Sequence, residues 1–328
     1  MEKTLGINIA SLALVLLFIF AIFPTVNGSS AEAVYGSYCN QSSAAKEEME
    51  DTCDMIIDAF ISYSSCTCHV DACGSGTYAS NVYYYAQYFE DNYDYATVFH
   101  YGHISVPSEI YGQLWIRYSW DPEVWYYEEI PIFHHKLLGA EDYSGIIVDK
   151  DLYSYTDAEE HKFVFMWACE NQSNIGGYDP GGGYNQNPYY SWPYVEECLY
   201  YDTGAYGLPY AWMHRGNGDL SWDGYASPDQ TDYCYIGFND TSPAIEDFAN
   251  GQTSKTYGDW ITYFYYSALY NNNYSIKDAL NAASQYVYGV NYGACPLYLG
   301  DDDWYYHEGN YYGGNMVVFG NSNNLLPT

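Results

Sequence analysis

The chain has 328 residues, of which 48% are hydrophobic and 20% are aromatic, enough for one sizeable folded domain with a proper core. Its 42 Asp and Glu residues outnumber 9 Lys and Arg residues, giving a formal net charge of -33. This balance argues against nucleic acid as a partner, because a phosphate backbone is bound through Lys and Arg side chains. The aromatic content argues against a disordered acidic chain.

The first segment is predicted to direct export rather than to join the core. An apolar stretch runs from Leu5 to Phe23 behind Lys3, and Ala31-Glu32-Ala33 follows as an A-x-A-like cleavage site. We therefore expect residues 1–31 to be a signal peptide and residues 32–328 to be a single secreted or cell-surface domain. The stretch is close to the length that spans a bilayer, so an uncleaved N-terminal anchor is the alternative, and with it the expected route to membrane contact.

Nine cysteines accompany the predicted export, at positions 39, 53, 66, 68, 73, 169, 198, 234 and 295. Export permits disulfides, and the cluster of Cys66, Cys68 and Cys73 is predicted to be a stapled loop. A zinc site that includes His69 is the rival prediction, although the spacing matches no common zinc motif. The odd count leaves at least one thiol over unless a bond joins two chains.

Hydrophobic periodicity predicts the regular elements. Apolar residues at helical spacing, with Ser42 or Ser43 as cap, predict a helix over 42–61, and a second helix is predicted at about 78–89. Further elements follow in chain order: strands at 96–99, 162–168 and 233–238, helices at about 258–270 and 275–288, and a strand at 316–319. The strand segments are continuous apolar runs, which is typical of parallel strands covered on both faces. We therefore predict an α/β layered domain with a mostly parallel central sheet.

Two stretches depart from this regular pattern. Residues 104–145 and 173–231 are rich in Tyr, Gly, Pro, Trp and Asn. They are predicted to be long surface insertions, which in a compact domain are usually functional.

His103 and Cys169 share one predicted position, since each follows the carboxyl end of a short buried strand. Ligands of an open parallel sheet bind outside the carboxyl ends of its strands. If the two strands are neighbours, a thiol faces an imidazole there, as nucleophilic catalysis requires. Gly102 is expected to let the backbone approach a substrate and to offer its amide to an oxyanion. The alternative is an ordinary buried or disulfide-bonded cysteine beside a loop histidine.

His100 is the alternative base for this site. It lies three residues before His103, and on an extended strand that offset puts the two rings on opposite faces, so only one can point into the crevice. The strand-end position favours His103. A metal pair formed by His100 and His103 is disfavoured, because the usual two-histidine motif needs a helix.

An acidic run near the end of the chain is the best candidate for a cation site. Asp301, Asp302 and Asp303 offer the oxygen ligands that Ca²⁺ prefers, although no EF-hand spacing is present. A solvated acidic loop is the alternative. Ca²⁺ is therefore a candidate ligand, and the predicted thiol chemistry itself requires no cofactor.

Three segments resemble caspase-, legumain- and gingipain-like cysteine peptidases. FVFMWACE (163–170) resembles the strand that carries their nucleophile, and VFHYGH (98–103) resembles the strand that carries their catalytic histidine. YIGF (235–238), with Ser242 after it, is similar to the next strand and its specificity-forming loop. Weaker similarities to the gingipain-like branch lie at 149–156 and 318–321.

The resemblance implies a three-layer caspase-like sandwich and a Cys169–His103 dyad that hydrolyses peptide or protein substrates. It also implies a specificity pocket near Gly237 and Ser242. One departure is Ile104, which follows the histidine where the family has glycine. Because fold does not imply function, a non-catalytic cell-surface or adhesion protein on the same scaffold is the alternative.

Overall fold

The structure is a computed structural model. It describes residues 29–38, 41–74, 77–105, 109–118, 121–133, 136–137, 146–157, 161–168, 195–201, 208–214, 232–238, 242–249, 254–271, 274–299, 305–307, 310–312 and 316–328.

The described residues form both strands and helices. The strands are β1 (Ser30–Gly36), β2 (Cys68–Cys73), β3 (Tyr95–Tyr101), β4 (Ile104–Ser105), β5 (Glu109–Tyr118), β6 (Asp121–Phe133), β7 (Lys136–Leu137), β8 (Ile147–Val148), β9 (His161–Trp167), β10 (Val195–Tyr201), β11 (Tyr233–Phe238), β12 (Tyr305–His307), β13 (Asn310–Tyr312) and β14 (Met316–Gly320). The helices are α1 (Ser43–Tyr63), α2 (Ala79–Asn92), α3 (Asp149–Tyr153), α4 (Leu208–Met213), α5 (Tyr257–Tyr270), α6 (Ile276–Tyr288) and α7 (Pro296–Leu299), with a short 3-10 turn at Tyr292–Ala294.

The main sheet has six strands in the order β14-β11-β9-β3-β1-β2. Neighbouring strands are parallel from β2 to β11, and β14 pairs antiparallel with β11 at one edge. This confirms the predicted α/β class with a mostly parallel sheet. The predicted strands at 96–99, 162–168, 233–238 and 316–319 correspond to β3, β9, β11 and β14.

Helices cover both faces of the main sheet. Successive side chains of a strand point to opposite faces, so Phe99 packs with α1, α5 and α6, while Val98 packs with α2, α3 and α4. Both strand faces are therefore buried, which explains why the strand sequences are continuous apolar runs. The arrangement is compatible with a three-layer sandwich.

Local capping chemistry sets where the predicted helices begin. The Ser42 hydroxyl accepts a hydrogen bond from the Ala45 amide at the start of α1, as predicted. Ser275 and Asp278 form a reciprocal capping box at the start of α6. Gly289, with φ of 74°, ends that helix in a left-handed conformation that favours glycine. These contacts lie within one turn of sequence, which is why the helices were predictable.

Strand β1 was not predicted, because its sequence was interpreted as the end of the leader. The A-x-A pattern at Ala31-Glu32-Ala33 lies within β1, and these three residues are buried in the main sheet. A cut after residue 31 would remove the first two residues of β1, a strand paired on both sides. Export and cleavage themselves remain predictions, and residues 1–28 lie outside the described residues.

The cysteine-rich segment differs from the predicted stapled loop. Residues 68–73 form the edge strand β2, parallel to β1. Cys73 is bonded to Cys53 of α1, whereas Cys66 and Cys68 are free thiols. The disulfide thus joins a helix to a strand instead of closing a loop within the cluster.

Both predicted insertions contain regular structure. Strands β5 and β6 lie in the first insertion and pair antiparallel with each other, and β10 from the second insertion pairs antiparallel with β5. Short helix α4 also lies in the second insertion. In the part of the chain that the structure describes, no helix is both long and apolar enough to cross a bilayer.

Candidate functional site

The candidate site lies at the carboxyl ends of β3 and β9, which are adjacent and parallel. Tyr101 and Trp167, the last residues of the two strands, are register partners. One residue further along, the Gly102 amide donates a hydrogen bond of 3.1 Å to the Trp167 carbonyl. His103 is two residues beyond Tyr101, and Cys169 is two residues beyond Trp167 in the sequence. Cys169 itself lies outside the described residues.

The His103 side chain is partly buried at this edge. Burial lowers the pKa of His103, because loss of water disfavours the protonated ring, and the nearby Glu246 carboxylate opposes the change by raising that pKa. The imidazole is therefore neutral near pH 7, the form in which a histidine can accept a proton.

Gly102 does not offer a free amide to this site. Its N–H is used in the bond to the Trp167 carbonyl, so the expected contribution of this N–H to an oxyanion is corrected. The same bond has a positional role, since it holds the residues immediately before His103 against the end of β9.

His100 cannot serve as the alternative base. Its side chain has no exposed surface, and the ring centroid lies 5.5 Å from that of Tyr35 in the buried sheet. Neither ring nitrogen has a hydrogen-bond partner among the described residues. Burial lowers the pKa of His100 to about 3. The ring is thus neutral and enclosed, whereas His103 is partly open to solvent.

Glu246 is a candidate site residue that the sequence analysis missed. One of its oxygens, Oε1, accepts a hydrogen bond of 3.0 Å from the Ser42 hydroxyl at the start of α1. The other oxygen, Oε2, is shielded from solvent and has no hydrogen-bond partner among the described residues. A carboxylate whose charge acts on a histidine stabilises the protonated form of the ring. Because Glu246 lies in an irregular segment far along the chain, no periodic pattern marks it.

The segment after β11 is attached to the same edge. The buried Trp167 indole Nε1 donates a hydrogen bond of 2.8 Å to the Pro243 carbonyl. Ser242 is partly buried next to this anchor, while Gly237 is buried within β11, opposite Val317 of β14. The two residues predicted for a specificity pocket therefore differ in position: Ser242 lies in the anchored segment, and Gly237 belongs to the sheet.

His69, a ligand only in the rival prediction of a zinc site, lies beside a carboxyl group. Its Nδ1 lies 2.7 Å from Oε1 of Glu32, a fully buried carboxyl whose pKa is raised by burial to about 9. In the described ranges, no group of three or more His, Cys, Asp or Glu side chains is arranged to hold a metal ion. Asp301, Asp302 and Asp303 lie outside those ranges, so the calcium site stays a prediction.

Three of the four free thiols that the structure describes, Cys66, Cys234 and Cys295, are poor nucleophiles. Burial raises the pKa of Cys66 to about 12 and also raises the pKa values of Cys234 and Cys295. A thiolate is the reactive form of cysteine, so these residues are expected to react slowly.

No protein-family model matches this chain, and a comparison with curated proteins finds no match.

Proposed function

We propose that this protein is an exported, caspase-like cysteine peptidase in which Cys169 is the nucleophile and His103 is its base. The observation that carries the proposal is the register of two adjacent parallel strands, in which Tyr101 pairs with Trp167. Two residues span at most about 7 Å of chain, and neighbouring strands lie about 4.8 Å apart. Connectivity therefore keeps Cys169 close to the strand end that His103 follows.

The proposed reaction uses the groups that this edge supplies. Neutral His103 takes the proton of the Cys169 thiol, and the thiolate attacks the carbonyl carbon of a peptide bond. His103, now protonated, gives that proton to the nitrogen of the leaving amine as the C–N bond breaks. Water then attacks the thioester while His103 accepts its proton, the C–S bond breaks to release the acid, and the proton passes from His103 to the thiolate, which restores the thiol. Glu246 is proposed to favour the protonated form of His103 through its charge.

The fold and the surface charge support two finer parts of the proposal. Strands β3, β9 and β11 are neighbours in that order, and this adjacency supports the resemblance to caspase-like peptidases. We propose that the main sheet and the two helical layers form a three-layer caspase-like sandwich, with Ser242 in the loop that determines substrate specificity. The net charge of -33 favours substrates with Lys or Arg before the cleaved bond.

Peptide cleavage tests the proposed activity. A peptide library is incubated with the wild type and with the Cys169→Ala and His103→Ala variants, with and without Ca²⁺. Cys68→Ser is the matched control, because Cys68 is a free, partly buried thiol at the opposite end of the sheet. We expect cleavage by the wild type and the control only. Cleavage that survives in Cys169→Ala would exclude the proposed nucleophile.

Thiol labelling tests the same site without a substrate. With iodoacetamide near neutral pH, followed by peptide mass spectrometry, we expect Cys169 to react much faster than Cys66, Cys234 and Cys295. The His103→Ala variant should slow the labelling of Cys169 alone. If Cys169 is found in a disulfide, the enzyme is excluded and the non-catalytic alternative on the same scaffold gains support.

A further inference from the structure

A tyrosine-lined groove lies on the outer surface of the helical layer, between α1 and α5. It is a cavity of about 420 Å³, within the range of about 300–1,000 Å³ typical of ligand pockets. The residues used below are Asp58 and Tyr63 from α1, Asp259, Tyr263 and Tyr266 from α5, and Tyr286 from α6. The groove is formed by helices and does not include His103 or the strand ends.

The aromatic wall of the groove is ordered by ring contacts. Tyr263 and Tyr286 stack with their centroids 4.1 Å apart and an interplanar angle of 4°. Tyr63 meets Tyr266 edge to face at 5.7 Å. Tyr63, Tyr266 and Tyr286 are nevertheless about 40% exposed, at 40%, 38% and 40%. Fixed rings with open surface can accept a ligand without the entropic cost of ordering them first.

Carboxylates line both helices that form the groove. Asp58 and Asp259 are exposed, one on α1 and one on α5. Desolvation raises the pKa of Asp54, and the nearby Asp58 carboxylate raises that pKa further. Negative charge is therefore crowded along this side of α1. A bound cation would relieve this repulsion.

The chain itself provides an example of a cation on this aromatic cluster. The Lys255 ammonium lies 3.3 Å from the centroid of the Tyr286 ring and donates a hydrogen bond to the Tyr286 carbonyl. Ammonium and guanidinium groups are attracted to the faces of aromatic rings, and this attraction adds to that of nearby carboxylates.

We propose that the groove binds a Lys or Arg side chain of a basic peptide segment. Tyrosine rings would contact the aliphatic stem and the cationic head, while Asp58 and Asp259 would pair with its charge. A second copy of this chain is disfavoured as occupant, because each copy carries a formal charge of -33. A neutral sugar can stack on the rings and donate hydrogen bonds to the carboxylates, but it gains no attraction from their charge, which a Lys or Arg side chain does. The proposal does not depend on the proposed peptidase activity.

Binding is tested by fluorescence anisotropy with a labelled peptide of alternating Arg and Gly, and with a Glu-Gly peptide as control. The full chain carries Cys169→Ala, so that cleavage cannot consume the probe. On this background we compare Asp58→Asn and Tyr266→Ala. Asp259 is left unchanged because its side chain accepts the Thr256 amide hydrogen bond that caps α5.

Matched controls come from the opposite helical layer, where Asp91 and Tyr84 are exposed on α2. We expect Asp58→Asn and Tyr266→Ala to weaken binding of the Arg peptide by about three- to tenfold, and Asp91→Asn and Tyr84→Ala to leave it unchanged. Thermal melting verifies that each variant folds.

Three results would overturn the proposal. One is an Arg peptide that does not bind, or that binds no better than the Glu peptide. Another is that Asp58→Asn and Asp91→Asn weaken binding of the Arg peptide equally, which would show that the net charge of the chain attracts the peptide and not the groove. The third is binding of a neutral oligosaccharide that Tyr266→Ala abolishes while the Arg peptide stays unbound.

Discussion

The Gly102 amide donates a hydrogen bond to the Trp167 carbonyl across 3.1 Å, which continues the pairing of β3 and β9 one residue beyond Tyr101. The bond holds the chain before His103 against the chain before Cys169. The Trp167 indole also donates a hydrogen bond to the Pro243 carbonyl. This residue therefore connects the histidine strand, the cysteine strand and the segment that carries Ser242 and Glu246.

The role of Glu246 is tested by Glu246→Gln, which keeps the size of the side chain and removes its charge. Because Glu246 raises the pKa of His103, its loss should lower that pKa. The acid limb of the pH profile of Cys169 alkylation, and of kcat/KM for peptide cleavage, should then move to lower pH. We also expect kcat/KM to fall by at most about tenfold, because the ring without this charge holds the proton for the leaving amine less readily.

Glu50→Gln provides the matched control, since Glu50 is an exposed carboxylate on α1. It removes the same charge from the chain and should leave the pH profile unchanged. If both variants shift the pH profile by the same amount, Glu246 has no specific role in the site.

The buried His100 should make the protein less stable in acid. Its pKa is about 3 in the folded chain, against an ordinary value of 6.5. Between these values the unfolded chain binds the proton and the folded chain does not, so the free energy of unfolding falls as pH falls, by at most about 1.4 kcal/mol per pH unit. Urea unfolding of the wild type and His100→Leu at pH 7, 5 and 4 measures this contribution.

We expect His100→Leu to lose less stability than the wild type between pH 7 and pH 4. At pH 7 it should be at least as stable, because it removes two buried nitrogens without hydrogen-bond partners among the described residues. Parallel stability curves for the two proteins would show that His100 is not the source of the acid sensitivity.

The anchor formed by Trp167 is tested against a second buried tryptophan. Trp167→Phe removes the bond to the Pro243 carbonyl, and Trp260→Phe removes a bond of 3.3 Å to the Ser284 hydroxyl within the helical layer. Each change should lower the free energy of unfolding by about 1–3 kcal/mol, through a lost bond and a small void. Only Trp167→Phe should also slow peptide cleavage and Cys169 labelling. Equal activity of the two variants would contradict a functional anchor.

Hydrogen bonds between Ser29 and Asp94 indicate where the folded domain begins. The Ser29 amide donates a hydrogen bond of 2.9 Å to the Asp94 carboxylate, and the Asp94 amide donates one of 2.9 Å to the Ser29 carbonyl. Beyond this pair, Ser30 and the residues after it are buried in β1. We therefore expect N-terminal sequencing of the exported protein to find its first residue at or before Ser29.

Two truncated chains test this boundary independently of export. A chain that begins at Ser29 should unfold cooperatively, whereas one that begins at Glu32 loses two residues of a central strand and should be several kcal/mol less stable, by the loss of strand pairing and apolar burial. If the two chains are equally stable, the predicted end of the signal peptide at residue 31 is favoured instead.

Several features were predictable because their causes are local. Capping by Ser42 and Ser275, helical periodicity and continuous apolar runs all act within a few residues, so the long helices and four strands of the main sheet could be located from the sequence. The position of His103 just after a strand also followed from such a run. Strand β1 was missed because its small residues fit both a buried strand and a cleavage site, and only its pairing with β2 and β3 separates the two.

What the sequence determined by itself is thus the α/β class, the acidic charge, and the histidine and cysteine that follow two buried strands. Only the tertiary structure decided that β3 and β9 are neighbours in register, that the Gly102 amide is already bonded and that His100 is enclosed. It also decided that Glu246 lies near His103, that Cys73 pairs with Cys53 and that tyrosines from three helices line one groove. These relationships join residues distant in sequence, and their partners are selected by packing and sheet pairing, which no local pattern encodes.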